Sequence, residues 1–415
     1  MRRRVVALAA VFATAAVACV SALAGSAADP GVSARTVVIG GTFPLSGAAS
    51  SYAPIPVGMK VYFSYVNARR DVKTKKRGIF GRQIVWKYYD DGYNPANTAT
   101  QTRKLVEEDK VFALFGGLGT EPQQAVVKYA NDRKVPQLFV STGATEFGSN
   151  FKADPYTIGW QPDYQAEGTI YGKYAAQNWP AKKIGVIYQN DDYGKDYLEG
   201  LKAGLGARQS NIITQQPFDV TAPSVGQQVA AIRASGADVI AIFATPAKTI
   251  QTYATMRALR FRPEEVIVNS VSATDTFMKA ALANADAATV NGSISTGYLM
   301  DPQAAQYQNN NFMKLYKRLM AKYAPSADPN NGLYFYGMAK AWDVVHVLEL
   351  TGRAPTRANL MKVVRKMNWT NPFTIPGVKV TTSANDPFPI SQVKLIRFNN
   401  GVWTEFGNLI NGRGV

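Results

Sequence analysis

The strongest constraint on this chain is its rhythm. Short apolar runs of strand length alternate with helical stretches, and the alternation happens twice. TVVIGG (36–41) precedes a helical pattern near 57–68, and QIVWKYY (83–89) precedes one over 96–109. VFALF (111–115) leads to a helix over 122–131, and PQLFV (136–140) completes a first set. KIGVIY (183–188) restarts the rhythm, followed by a helix over 193–205, a strand over 212–218, a helix over 224–235 and DVIAIF (238–243). A helix over 248–259 and a strand over 265–269 close the second set. Apolar strands separated by helices of about 10–15 residues predict parallel sheets covered on both faces. Two sets predict an α/β protein of two lobes. The remainder differs, with helices over 305–323 and 332–350 and strands over 378–381 and 393–398. Asn399-Asn400-Gly401 then reads as a hairpin turn into 402–406. No Gly/Ser-rich or Pro-rich linker interrupts the pattern, so ordered strands are expected to connect the lobes.

The chain opens MRRRVVALAAVFATAAVACVSALAGSAADP. Arg2, Arg3 and Arg4 precede an uncharged run, and Ser26-Ala27-Ala28 supplies small residues for cleavage. This is the pattern of a secretory signal peptide over 1–28. A lipid anchor at Cys19 and a retained span are the rival readings. Ala16-Val17-Ala18 lacks the leucine of a good lipidation site, and an Ala- and Val-rich run inserts only marginally. The expected protein is therefore exported, periplasmic or associated with the cell envelope.

Composition narrows the chemistry. The 415 residues include one cysteine, Cys19, and one histidine, His346. An intramolecular disulfide, a cysteine-ligated zinc and a two-histidine metal site are excluded. His346 falls inside a long helical pattern, where a packing role outweighs a catalytic one. The formal charge is +17, and losing Arg2, Arg3 and Arg4 with the leader leaves +14. The densest basic run, over 69–77, joins a helix to a strand, and no nucleic-acid-binding module accompanies it. A solvated turn and general surface charge are expected there, not a nucleic-acid site.

Ligands of open parallel sheets bind beyond the carboxyl ends of the strands. Here those ends read TFPLSGAASSY (42–52), GGLGTEP (116–122), STGAT (141–145) and QNDDYG (189–194). Glycine admits backbone N–H groups to a ligand, hydroxyls add donors and acceptors, and a helix start favours an anion. Such turns also use these residues for capping and geometry alone. Several in register point to a small anionic group, most simply a carboxylate. Gly117-Leu118-Gly119-Thr120-Glu121-Pro122 begins like a dinucleotide fingerprint but has proline where the last glycine is needed. No P-loop, G-x-S-x-G or H-E-x-x-H stretch occurs.

From about 36 to 410 the chain resembles the periplasmic substrate-binding proteins of branched-chain amino acid-type ABC transporters, the type I class that binds leucine, isoleucine and valine. The segments that carry the likeness are VVIGGTFPLSGAASSY, YYDDGYNPANTATQTRKLVEEDKVFALFGGLGT, KVPQLFVSTGAT and IGVIYQNDDYGKD, in that order. The resemblance implies two Rossmann-like lobes joined by three hinge strands, with lobe 1 formed by 36–158 plus 297–388 and lobe 2 by 159–296 plus 389–412. It implies a monomer that binds a small solute in the cleft and delivers it to ABC permease subunits. Catalysis, a cofactor and a metal are not implied. A ligand sensor docking to a membrane signalling receptor is the alternative.

Residue by residue, the resemblance places Gly119 and Thr120 at the ligand carboxylate. Gly143, Ala144 and Thr145 fall in the second strand-end loop, and Tyr193 is the aromatic that closes from the second lobe. Tyr52 flanks the pocket from the first lobe, and Ser270 stands where amino-acid-binding relatives carry a carboxylate for the ligand ammonium. The loop Asn269-Ser270-Val271-Ser272-Ala273 contains no acid. A buried ammonium without a counter-charge costs several kcal/mol. An α-amino acid therefore fits only if Glu121, Asp191 or Asp275 reaches it. A carboxylic acid or amide without an ammonium fits more easily. Trp160 and Phe243 are expected in the core more than in the pocket wall.

Overall fold

The computed structural model describes residues 29–71 and 75–412; the leader over 1–28, with Cys19, lies outside the described residues. One sheet contains β1 (Thr36–Phe43), β2 (Gln83–Asp90), β3 (Ala113–Phe115), β4 (Gln137–Val140) and β5 (Thr157–Gly159). All run parallel in the order β2-β1-β3-β4-β5. The second sheet begins with β6 (Ile184–Gln189), β7 (Ile212–Phe218), β8 (Val239–Phe243), β9 (Glu265–Val268) and β10 (Ile294–Gly297). A small antiparallel pair, β11 (Asn368–Trp369) and β12 (Val380–Thr381), stands apart. The chain then returns as β13 (Gln392–Asn399) and β14 (Val402–Asn411). The second sheet has the order β14-β13-β10-β9-β8-β6-β7, parallel from β6 to β10 and antiparallel at the added hairpin.

Burial explains the strand sequences. Every residue of β3, β4 and β8 is buried, so apart from Gln137 of β4, which accepts from Thr157 Oγ1 at 3.0 Å, these strands read as continuous apolar runs without alternation. Edge strand β7 alternates instead and carries Gln215 and Pro217 outward, which blunts it against pairing.

Several expected elements change at their ends. The helix expected over 96–109 is α-helical only over Pro95–Arg103, where the Asn94 side chain accepts the N–H groups of Ala96 and Asn97. It widens into a π turn over Lys104–Glu108, closed by Asp109 N donating to Lys104 O. Asp109 thereby meets Lys87 and accepts from the Tyr89 hydroxyl at 2.8 Å. The helix expected over 305–323 divides, because Asn310 caps Phe312 and Met313 and so starts a new helix at Asn311–Tyr323.

The helix Tyr164–Asn178 escapes prediction because its buried face is polar and small, including Tyr164, Glu167, Gly168 and Gly172. It packs on Asp192–Leu205 through glycines on both sides. A Cβ at Gly172 would lie 2.3 Å from Leu201 O, and one at Gly200 would lie 2.2 Å from Gln165 O. This contact fixes the helix whose first turn carries Tyr193.

The chain passes between the sheets three times: after β5, after β10 and before β13. Trp160, fully buried in the first passage, donates Nε1–H to Asp343 Oδ2 at 2.7 Å. The same carboxylate accepts from Asn371 Nδ2 at 2.9 Å and Trp369 Nε1 at 2.8 Å. The second passage pairs with 373–375 through Met300 N to Phe373 O and Ile375 N to Tyr298 O. One hydrophobic cluster runs continuously through residues of both sheets.

Of the basic run over 69–77, residues 72–74 lie outside the described residues; Arg69 meets Glu349 and Arg70 donates to Lys75 O at 3.1 Å. Residues 75–77 are exposed, as a solvated turn requires.

Two outcomes test this packing. Gly172→Ala should destabilise the protein by about 1–3 kcal/mol in urea unfolding, because a methyl group meets backbone. Asp343→Ala should cost roughly 3–5 kcal/mol by leaving three buried N–H donors unpaired. An unchanged midpoint in either variant contradicts the role given to that contact.

Candidate functional site

The carboxyl ends of β3, β4, β8 and β9 face one cavity between the sheets. It offers about 170 Å³ to the centres of water-sized molecules. Its walls come from both sheets and from the third segment of the chain.

On the first side, Gly119 ends the loop after β3 with φ +104°, a conformation that glycine alone adopts freely. A Cβ there would lie 2.6 Å from the Tyr93 ring. The turn lets the Thr120–Asp132 helix start at the cavity, where the helix dipole favours an anion and no side chain of Gly119 caps the first turn. Thr120 Oγ1 and Thr142 Oγ1 share a hydrogen bond of 2.7 Å, and both residues line the cavity. Gln123 braces the loop from below by donating to Thr42 Oγ1 at 2.9 Å. Tyr52, in the turn Ser50–Tyr52, lines the cavity and meets Phe277 edge-on at 6.3 Å.

On the second side, Tyr193 begins the Asp192–Leu205 helix, capped by Asp191 at 3.2 Å from Gly194 N. Its ring packs edge-on against Tyr164 at 5.2 Å. Its hydroxyl is buried at the cavity without a hydrogen-bond partner. Ser270 also lines the cavity. Its N–H and Oγ–H donate to the two Glu167 oxygens at 2.9 and 2.8 Å. An acid therefore does reach this loop, from the helix that sequence patterning missed. Glu167 sits behind Ser270, outside the cavity wall, and burial raises its pKa against the pull of its donors.

Tyr52, Gly119, Thr120, Tyr193 and Ser270 thus share the cavity, whereas Gly143, Ala144 and Thr145 do not line it. Gly143 presses on the next passage, with Tyr164 N donating to its carbonyl at 2.8 Å. Ala144 N turns to Thr142 Oγ1 at 3.1 Å. Thr145 N donates to Asp196 Oδ2 at 2.8 Å, on the helix that carries Tyr193. The loop after β4 meets the cavity with Ser141 and Thr142 instead, because Gly143 packs against the passage over 160–163, where a Cβ would lie 2.1 Å from Pro162 O, and the chain then turns into the helix Glu146–Ser149. Trp160 and Phe243 are fully buried and lie outside the wall, in the core. Glu121, Asp191 and Lys248 also lie outside it, while Asp275 lines it. His346 stacks on Trp342 at 5.0 Å, away from the cavity.

Sequence reasoning missed a large part of the wall: Tyr298 to Asp301 after β10, Tyr336 on the Gly332–Thr351 helix, and Trp403 and Glu405 on β14. These come from segments whose spacing carries no binding signature. Polar side chains link them: Tyr336 OH donates to Gln161 Oε1 at 2.8 Å, and Gln161 Nε2 donates to Tyr164 OH at 2.9 Å.

Charge is concentrated in two places. Lys340, fully buried, donates Nζ–H to Ser141 Oγ at 2.5 Å and lies 5.1 Å from the Tyr336 ring. No carboxylate pairs with it among the described residues, and burial pulls its pKa well below the usual lysine value. Asp275 and Asp301 face each other at another part of the wall. Burial and the neighbouring carboxylate push Asp275 up to about 8, and burial raises Asp301. No group of His, Cys, Asp and Glu among the described residues is arranged to hold a metal ion.

The sheets also touch across the cleft rim. Gln124 Nε2 donates to Asp192 Oδ2 at 2.8 Å, and Asp196 receives Thr145 N from one side and Gln165 Nε2 from the other. The bonds from Gln124 to Asp192 and from Thr145 to Asp196 join the two halves, whereas Gln165 and Asp196 lie in the same half.

The profile of the periplasmic binding protein family matches residues 36–402. An amino acid binding protein of Pseudomonas aeruginosa is 26% identical over 207 residues, which is 49% of this chain and 52% of that protein. The chain thus spans about half the length of that curated relative. A branched chain amino acid ABC transporter structure from Thermus thermophilus, with bound valine, superposes with a TM-score of 0.77 at 14% identity, over 92% of this chain and 97% of that one. A fatty acid ABC transporter substrate-binding protein from Thermomonospora curvata superposes with a TM-score of 0.76 at 18% identity, over 94% and 96%. At these identities the structural likeness speaks for the two-lobed type I fold. The sequence profile covers most of the chain, and on that ground the chain belongs to the periplasmic binding protein family.

Proposed function

We propose that this protein is an exported, extracytoplasmic solute-binding component of an ABC importer. It captures a small solute carrying a carboxylate or an amide between its lobes, closes around it, and presents the closed form to permease subunits in the membrane. The lobes are 36–158 with 297–388 and 159–296 with 389–412. It binds without transforming its solute.

The observation that carries this reading is a cavity walled by strand ends from both sheets, with a buried tyrosine hydroxyl left unpartnered in it. A buried hydroxyl without a partner costs about 1–3 kcal/mol, which a bound solute can recover. Thr120 at a helix start suits a carboxylate or an amide oxygen. Tyr52, Tyr164 and Tyr193 supply aromatic surface for the rest of the solute. The relatives named above are described as binding an amino acid, valine and a fatty acid, all of which carry a carboxylate.

Closure follows from the division of the wall. A solute touches both halves fully only when they meet, so its differential affinity shifts the equilibrium toward the closed form. The bonds from Gln124 to Asp192 and from Thr145 to Asp196 favour the same form.

A thermal-shift screen of amino acids, aromatic acids, alkanoates, amides and ureas should yield a solute that raises Tm when in large excess. Thr120→Val and Tyr193→Phe, which keep shape and lose a hydroxyl, should each weaken that solute about threefold to tenfold by calorimetry. Unchanged affinity in both variants defeats the site assignment. Asp196→Ala should weaken binding roughly threefold or more and leave the solute-free protein more open in X-ray scattering. A variant with native affinity and native scattering shows that the rim contacts do not help closure.

A further inference from the structure

The cavity wall is built without a cation. Among the described residues that line it there is no lysine, arginine or histidine, whereas Asp275, Asp301 and Glu405 all line it. These acids are engaged within the protein. Glu405 meets Lys394 at 3.2 Å, Asp301 accepts Gln303 N at 2.8 Å, and Asp275 is approached by Asp301 and by the Trp403 backbone. Lys279 draws both aspartates down but stands outside the lining. Lys340, behind Ser141, also stands outside it, and burial drives that amine toward its neutral form. The cavity therefore offers a solute no positive side chain.

The helix start at Thr120 does not replace one, because Tyr93 covers it. Tyr93 lines the cavity in the left-handed region at φ +60°, a strained conformation for a residue with a Cβ. Its N–H is held there by Oδ1 of the buried Asp91 at 2.9 Å. Burial and the Asp191 charge raise the pKa of its hydroxyl, while the Gln189 side chain and the Thr120 N–H, both within its reach, draw it down. The first N–H of the helix thus already has a partner. A helix end is worth about fivefold to an anion and roughly thirtyfold at best. Taking a carboxylate out of water with no counter-charge weighs on the order of a hundredfold or more against it. Desolvation outweighs the dipole.

The groups that do face the solute are neutral. Thr120 and Thr142 share a hydrogen bond of 2.7 Å, Gln161 links Tyr164 to Tyr336, and the Tyr193 hydroxyl has no partner. Hydroxyls and side-chain amides both donate and accept, whereas a carboxylate only accepts. A carboxamide brings one acceptor and two donors, so such a set can satisfy it in both directions without burying a charge.

We propose that the solute is uncharged, and that its polar end is a carboxamide held by the hydroxyls around Thr120, with an apolar body against Tyr52, Tyr164 and Tyr193. The inference rests on the reading that this cavity holds the solute, and it selects the amide from the two polar ends which that reading allows. It sets this chain apart from the relatives named above, whose described ligands all carry a carboxylate.

The test is calorimetry on the whole protein, with pairs of probes that differ only at the polar end: isobutyramide and isobutyrate, isovaleramide and isovalerate, benzamide and benzoate, phenylacetamide and phenylacetate. At neutral pH the amide of each binding pair should bind about tenfold or more tightly than its acid, a gap of about 1.4 kcal/mol. Tyr93→Phe, which uncovers the Thr120 N–H, should narrow that gap to about threefold by strengthening the acid. A gap that Tyr93→Phe leaves unchanged overturns the part given to the Tyr93 hydroxyl. An acid that binds the native protein as tightly as its amide overturns the uncharged solute and leaves the solute-binding reading in place. So does a charged or zwitterionic solute, or an uncharged one without a carboxamide, emerging from the thermal-shift screen. If neither the pairs nor the screen yields a binder, both readings fall.

Discussion

A parallel strand can offer side chains to a ligand only beyond its carboxyl end, because its body is paired on both edges and covered on both faces. This constraint organises the whole molecule. β3 and β4 of one sheet and β8 and β9 of the other end at the same space, so two sets of turns become one wall. Turn residues chosen for backbone geometry, such as Gly119, and hydroxyls that cap helix starts, such as Thr120, acquire a second use there. The core needs no special chemistry, and apolar strands and amphipathic helices build it.

Holding two sheets in that relation requires the passages between them to be specified. Asp343 does this with one carboxylate. It gathers N–H groups from Trp160, Trp369 and Asn371, and so ties the first passage to the third segment of the chain. Burial raises its pKa to about 6, and the three donors hold it from going higher. The same logic of buried charge recurs at the cavity. Burial pulls the Lys340 pKa down, and burial with the neighbouring Asp301 pushes that of Asp275 up, so each is driven toward its neutral form. Isolated buried charges are costly, and such groups shift their pKa toward the neutral form to avoid that cost.

The legibility of these features follows their physics. Strands buried on both faces, such as β8, are plain in sequence because every position must be apolar. The loops that follow them are recognisable from composition, but it was the family resemblance that assigned Tyr52, Gly119, Thr120, Tyr193 and Ser270 to one site, and these five line one cavity. Gly143, Ala144 and Thr145 have the same composition, yet they serve the passage and the cleft rim. Composition cannot say which way a turn faces. The Tyr164–Asn178 helix stayed hidden because close glycine contact replaces an apolar stripe, and with it went Glu167, the acid behind Ser270. The helical pattern over 305–323 concealed a break, because the Asn310 cap competes with continuing the helix.

The sequence by itself determined the class of fold, the two sets of strands, the exclusion of an intramolecular disulfide and of a two-histidine metal site, and the loops from which a ligand site would be built. Each of these depends on local pattern or on which residues exist at all. Tertiary structure decided which loops meet, which hydroxyls remain unpartnered, and that Asp275 on one segment faces Asp301 and Trp403 on others. Those facts depend on distances between residues far apart in the chain, such as Tyr52 and Phe277, whose rings meet at 6.3 Å. No local pattern encodes such distances, because they are set by how the three passages fold one sheet against the other.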